Sequence, residues 1–245
     1  MEALYTEIYD AQLRAALPHF NNYPELLPHI GKYWNESPYK ILLIAESHYI
    51  DYFNKDKGAI SEAHSKDWYN HKSSDFLWKS YLDSINTREN VKSAELEKYK
   101  SSYLHYYNMK KEIKSNLPEF KDAELIYPYL SYYNYFQRPA YKDGSSIDNN
   151  HKDDEIAYTT ISFIYKIIKP NRIIFTSNKS FNSFINSRDK LEEKYLFPIN
   201  QLVYSVPHPG SAWWNRRSMN YGKNPATNKN RTGRERFIDI ITNRI

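Results

Sequence analysis

Short apolar runs bounded by polar or turn-forming residues mark out the chain. The stretch KILLIA over 40–45 lies between Pro38 and Glu46-Ser47. A continuous apolar run of that length predicts a strand buried on both faces. The Tyr- and Ile-rich stretch 125–136, RIIFT over 172–176 and QLVYSV over 201–206 predict three more. Between them apolar residues recur at helical spacing. Residues 3–17 predict a helix stopped near Pro18, 153–168 a helix closed by Pro170, and 178–186 a short helix. The span 51–116 is polar, charged and aromatic, with helical stretches such as 93–114. Thr232 and Glu235 have capping-box spacing and announce a last helix through Phe237, Ile238, Ile240 and Ile241.

Strands alternating with helices predict an α/β fold, a three-layer α/β/α sandwich with a four-stranded, mainly parallel central sheet. With Gly only 6 and Pro 12, no linker or repeat interrupts the chain, so 1–245 reads as one domain with a helical insertion at about 51–120. Open sheets of this kind bind ligands at the carboxyl ends of their strands. The residues after each predicted strand are Glu46-Ser47-His48-Tyr49, then Asn134-Tyr-Phe-Gln137-Arg138-Pro139, then Ser177-Asn178, and finally His208-Pro209-Gly210-Ser211. Polar, chemically capable groups gather where this fold places a site.

Composition narrows the chemistry. With no cysteine, disulfides, thiolate zinc sites, Cys-ligated iron–sulfur clusters and a cysteine nucleophile are excluded. The His residues show no His-x-x-x-His pair, and there is neither a phosphate-cradling glycine loop nor a Gly-x-Ser-x-Gly elbow. No apolar run reaches the roughly 20 residues of a membrane span and no signal-peptide core opens the chain, so a soluble, cytoplasmic protein is expected. The 24 tyrosines are read mainly as packing rings. Lys+Arg 34 against Asp+Glu 29 leaves a net charge of +5. Residues 216–236 hold 7 basic residues and 1 acidic one, a local +6, so the remainder of the chain nets −1. That concentration points to an anionic partner at one place.

At the four strand ends the sequence resembles the uracil-DNA glycosylase superfamily. Ile44-Ala45-Glu46-Ser47-His48-Tyr49 is similar to its water-activating motif, which reads Gly-Gln-Asp-Pro-Tyr in one branch and Gly-Glu-Ala-Pro-Gly in another. Asn134-Tyr-Phe-Gln-Arg138-Pro139 is similar to the Asn-x-x-Lys-x-Arg-Pro of the iron–sulfur branch, and His208-Pro209-Gly210-Ser211 to His-Pro-Ser. Order and spacing match from about Lys40 onward. The departures are specific: Ser47 stands at the family's catalytic Asp, Ala45 at its glycine and His48 at its proline, and the cluster cysteines are missing. The resemblance implies a monomeric DNA glycosylase without cofactor, metal or cluster, acting on DNA and not on membranes.

Each residue then has an expected role and a plainer alternative. His208, between two prolines that stiffen its backbone, would stabilise the leaving base; otherwise it is a turn histidine. Glu46 would orient or deprotonate water, with Ser47 or His48 as alternatives; otherwise it is a helix-start carboxylate. Asn134 would read a base edge with donor and acceptor, or merely cap a turn. Tyr49, Tyr52 and Phe53 would stack on the flipped base, or lie in the core. Arg138 would bind phosphate or brace its loop. Ser211, Trp213, Trp214, Arg216, Arg217 and Lys223 would engage DNA, the rings filling a vacated stack as the resembled family's loop does; otherwise one Trp is core and the other faces a protein. Two further readings stay open. One is excision of a hypermodified base from viral DNA as antiviral defence, and the other is a non-catalytic DNA-binding module of the same fold. A nuclease would need a metal-binding carboxylate cluster, which the sequence does not reveal.

Overall fold

A computed structural model of the chain describes residues 3–49, 67–72, 79–97, 103–140, 146–190 and 203–244. The apolar runs form the sheet: β2 (Ile41–Ala45), β3 (Ser131–Asn134), β4 (Arg172–Phe175) and β5 (Val203–Ser205), with a two-residue β1 (His29–Ile30) at one edge. The order is β1-β3-β2-β4-β5. Strands β3, β2, β4 and β5 are mutually parallel, and β1 runs antiparallel to β3. The sheet therefore has five strands rather than the four expected. Two residues are too short to carry a readable alternation, so β1 exists only through its pairing with β3.

Among the described residues the α-helices are α1 (Asp10–Ala16), α2 (His19–Asn22), α3 (Lys79–Ile85), α4 (Thr87–Leu96), α5 (Leu104–Asn116), α6 (His151–Ile168), α7 (Asn178–Arg188) and α8 (Gly233–Ile241). They cover both faces. Leu42, Ile44, Tyr133, Ile173 and Phe175 pack into one core with residues of α1, α3, α6 and α7. Ile41, Leu43, Tyr132 and Ile174 pack into the other with α4, α5 and α8. Successive strand residues alternate between two apolar layers, as the pleat requires when both faces are buried. The result is the three-layer α/β/α sandwich. No helix among the described residues is long and apolar enough to cross a membrane.

Several boundaries differ from the sequence pattern. The helix expected over 3–17 begins only at Asp10, because Tyr5 instead forms an antiparallel bridge with Gly31. The strand expected over 125–136 shortens to Ser131–Asn134, since Pro128 sits in a 3-10 turn at Tyr127–Tyr129 and has no N–H for a ladder. The span 93–114 holds the end of α4 and most of α5 rather than one helix. The Thr232–Glu235 capping box is present at α8, and a second, Asn150–Asp153, opens α6.

Candidate functional site

The parallel register brings the strand ends level. Ala45 faces Asn134 across β2 and β3, and Phe175 faces Ser205 across β4 and β5. The pairing continues past the strands: Glu46 O accepts from Phe136 N at 2.9 Å and His48 O from Ala140 N at 2.9 Å. Glu46, Ser47, His48, Tyr49, Asn134 and His208 thereby line one cavity of about 380 Å³. Its opposite wall comes from α3, α4 and α5 and the residue before α5, through Ser84, Asn90, Tyr103, His105 and Tyr106, with Tyr132 of β3 between. The volume lies within the range of about 300–1,000 Å³ usual for small-ligand sites.

Glu46 is held from one side only. Its Oε2 accepts from Ser177 Oγ at 2.7 Å, while Oε1 is buried and meets no hydrogen-bond donor among the described residues. Ser177 is the N-cap of α7 and its Oγ also accepts from Ser180 N, so the carboxylate sits near a helix N-terminus that favours negative charge. A buried acceptor left open costs stability unless a ligand or water satisfies it.

His48 is a positioning group for Asn134. Its Nε2 lies 3.0 Å from Asn134 Nδ2 and 3.2 Å from Thr87 Oγ1. Burial pushes the His48 ring down to about 3, so it stays neutral and keeps an acceptor nitrogen for the amide. Gln137 Nε2 donates to the Asn134 carbonyl at 2.7 Å and its Oε1 lies 3.1 Å from His19 Nε2. The Asn134 side chain thus keeps a second amide proton and its own Oδ1 for a ligand, in a fixed orientation.

His208 is set by its turn. Gly210 N donates to His208 Nδ1 at 3.2 Å, and Ser211 closes the turn through N and Oγ, which donate to His208 O at 2.9 and 2.8 Å. With Nδ1 accepting, the neutral ring carries its proton on Nε2. Burial lowers the ring's pKa, and the nearby Glu46 charge raises it by less. Behind the turn, Gly233 packs so tightly on Pro207 that a Cβ would stand 2.2 Å from Pro207 Cγ.

The remaining expected residues divide. Tyr49 lines the cavity half-exposed, its phenol pushed up to about 12 by burial and the Glu46 charge. Tyr52 and Phe53 lie outside the described residues. Trp213 is 53% exposed, with the Arg216 guanidinium 5.6 Å from its ring centre. Trp214 is not a surface ring: it is 2% exposed and packs on Phe237 at 5.5 Å between ring centres. Arg138 is not a phosphate ligand. It is buried, and its guanidinium donates to both Asp153 oxygens at 2.7 and 2.8 Å and to Asp148 O at 2.6 Å, so it braces the loop after β3.

The basic segment is also largely answered from within. Arg217 pairs with Glu235 and bonds Asn230 O, Arg231 pairs with Asp239, Arg234 pairs with Glu112, and Arg236 bonds Ser205 O. Arg216, Lys223 and Lys229 stand exposed. Two site residues carried no sequence signal of their own: His105 and Thr87 belong to helices with no motif. Ser177, named after the predicted strand 172–176, gains its role only from the Glu46 contact. No group of three or more His, Asp or Glu among the described residues is arranged to hold a metal ion. No protein-family profile, curated protein or solved structure matches the chain.

Proposed function

We propose that the chain is a DNA glycosylase that hydrolyses the N-glycosidic bond of a damaged or modified base flipped out of DNA. The observation that carries this reading is the convergence of Glu46, Asn134 and His208, each at or just past the carboxyl end of a parallel strand, on one cavity. Its motif order is the one the resembled superfamily shows. In the reaction, the bond from C1′ to the base nitrogen breaks and its electron pair leaves on the base. Water bonds to C1′ and gives its proton to Glu46 Oε1, the open carboxylate oxygen. His208 Nε2–H faces the charge that develops on the base, and Asn134 reads the base edge. Trp213, Arg216 and Lys223 form the exposed side toward DNA, the ring for stacking and the cations for phosphate.

A bulkier substrate is the favoured refinement. Five of the cavity's thirteen lining residues, Ser84, Asn90, Tyr103, His105 and Tyr106, come from α3–α5 and the residue before α5. Those side chains would face a hypermodified base such as viral DNA carries, and its excision as antiviral defence is the alternative reading. A binding module that had lost its chemistry would have no use for Glu46 Oε1 buried and open. The test is base release from duplexes carrying uracil, hypoxanthine or bulkier modified pyrimidines, read as cleavage at abasic sites. Release that depends on Glu46 and His208 is expected. DNA binding that survives Glu46→Ala and His208→Ala, with no abasic sites from any duplex, would leave only the binding module.

A further inference from the structure

The reading above uses one histidine of the cavity, yet a second is packed against it. His105, in the first turn of α5, has its ring centre 5.2 Å from that of His208 at an interplanar angle of 40°. Its other face lies on Tyr106 at 3.9 Å, and Tyr132 Oη approaches its Nε2 at 3.4 Å. Nothing in the resembled motifs supplies this residue, because it comes from the helical wall and not from a strand end.

We infer that His105 is a positioning residue for His208, and that the two imidazoles form a neutral wall of N–H donors facing a ligand's acceptor atoms. This rests on His208 being the group that meets the leaving base. The tautomers follow from the neighbours. Gly210 N–H occupies His208 Nδ1, so protonating that nitrogen would set two N–H groups head to head. In this pairing the Tyr132 hydroxyl, 3.4 Å away, is the donor to His105 Nε2, which puts the proton of that ring on Nδ1. Gly210 lies close against the ring, and a Cβ there would stand 3.1 Å from His208 Cε1, a tight contact.

Among the described residues, the titratable groups lining the cavity with the pair are Glu46, His48 and Tyr49 beyond β2, Tyr132 on β3, Tyr106 on α5 and Tyr103 just before it. Burial holds the phenols of Tyr106 and Tyr132 in the neutral form, so Glu46 is the charge that favours a cationic His208. The His105 ring opposes it by excluding water from His208 and by being unable to ionise itself, its own pKa held at about 3 by burial and by His208.

Nitrogen-15 NMR of the full-length chain labelled at histidine tests this without any substrate. His208 is expected as the Nε2–H tautomer and His105 as the Nδ1–H tautomer, both neutral at pH 7.5. His105→Ala admits water and raises the His208 titration midpoint by about half a pH unit or more, toward the ordinary histidine value near 6.5. His105→Phe keeps the wall dry and leaves that midpoint low. Tyr132→Phe frees His105 to mix tautomers while His208 stays Nε2–H. An unchanged His208 midpoint in His105→Ala, or mixed tautomers on both rings in the unaltered protein, overturns the inference. Should His105→Ala fail to fold, the Tyr132→Phe tautomer shift still decides it. These signals belong to the resting protein, so failure of the base-release assay and failure of the pairing are separate results.

Discussion

Arg138→Ala separates a bracing role from a DNA-contacting one. Arg138 is 3% exposed and Asp153 fully buried. The pair shares two charge-assisted hydrogen bonds, and Asp153 also accepts from Asn150 N in the α6 capping box and from Tyr69 Oη at 3.2 Å. Truncating Arg138 leaves the Asp153 carboxylate buried without its cation, a change that costs about 3–5 kcal/mol. For a chain of this size each kcal/mol lowers Tm by about 2–4 °C, so a fall of about 6–20 °C is expected. Replacing both partners by apolar side chains of similar volume should recover much of that loss, because no charge is then stranded. Thermal and urea unfolding followed by far-UV circular dichroism measure both variants. A single variant within about 0.5 kcal/mol of the parent, together with a weaker and less salt-dependent affinity for DNA, would refute the assignment and return Arg138 to the phosphate backbone.

The other predictions use the same logic. Glu46→Gln retains an acceptor for Ser177 and so keeps its melting temperature, while base release falls by about 10²–10⁴-fold, measured as abasic-site cleavage. Trp213→Ala leaves stability within about 0.5 kcal/mol and weakens DNA binding in a gel-shift titration, whereas Trp214→Ala costs about 3–5 kcal/mol because its ring fills the core against Phe237; equal stability of the two variants would contradict the structure. Acid should destabilise the fold through its enclosed histidines. The rings of His29, at about 4, and His48, at about 3, stay neutral when folded, whereas unfolded rings take up protons below about 6.5. The unfolded state then binds more protons, so stability falls from about pH 6.5 toward pH 4 by about 3 kcal/mol per pH unit for the two rings, read as a dropping urea midpoint. A midpoint flat across that window would show that these rings ionise in place. Gly233→Ala drives a Cβ into Pro207 and shifts the turn that orients His208, so base release should fall while DNA binding persists.

Much of the framework was legible in the sequence because its signals are local. Continuous apolar runs between turn formers become parallel strands, as 40–45, 172–176 and 201–206 show in buried β2 and β4 and in the partly covered edge strand β5. The Thr232–Glu235 box spans a single helical turn and needs nothing beyond it. The placement of Glu46, Asn134 and His208 was legible for a related reason: parallel strands share one direction, so residues at or just past their carboxyl ends meet at the same edge of the sheet.

Tertiary structure decided what those residues touch. Arg138 reads as a free cation until α6 brings up Asp153, and Trp213 and Trp214 are indistinguishable until Phe237 covers one of them. The basic segment 216–236 looked like an open docking surface, yet Glu112 from α5 and Asp239 from α8 answer two of its charges. His105 joins the cavity from a helix that carries no motif, and β1 is a strand only because β3 lies beside it. Apolar periodicity is written within a few residues and survives any arrangement of the chain. Charge pairing, ring burial and the wall of a cavity join residues of different elements, from 8 positions apart for Arg231 and Asp239 to more than a hundred for His105 and His208, so they depend on which elements pack together.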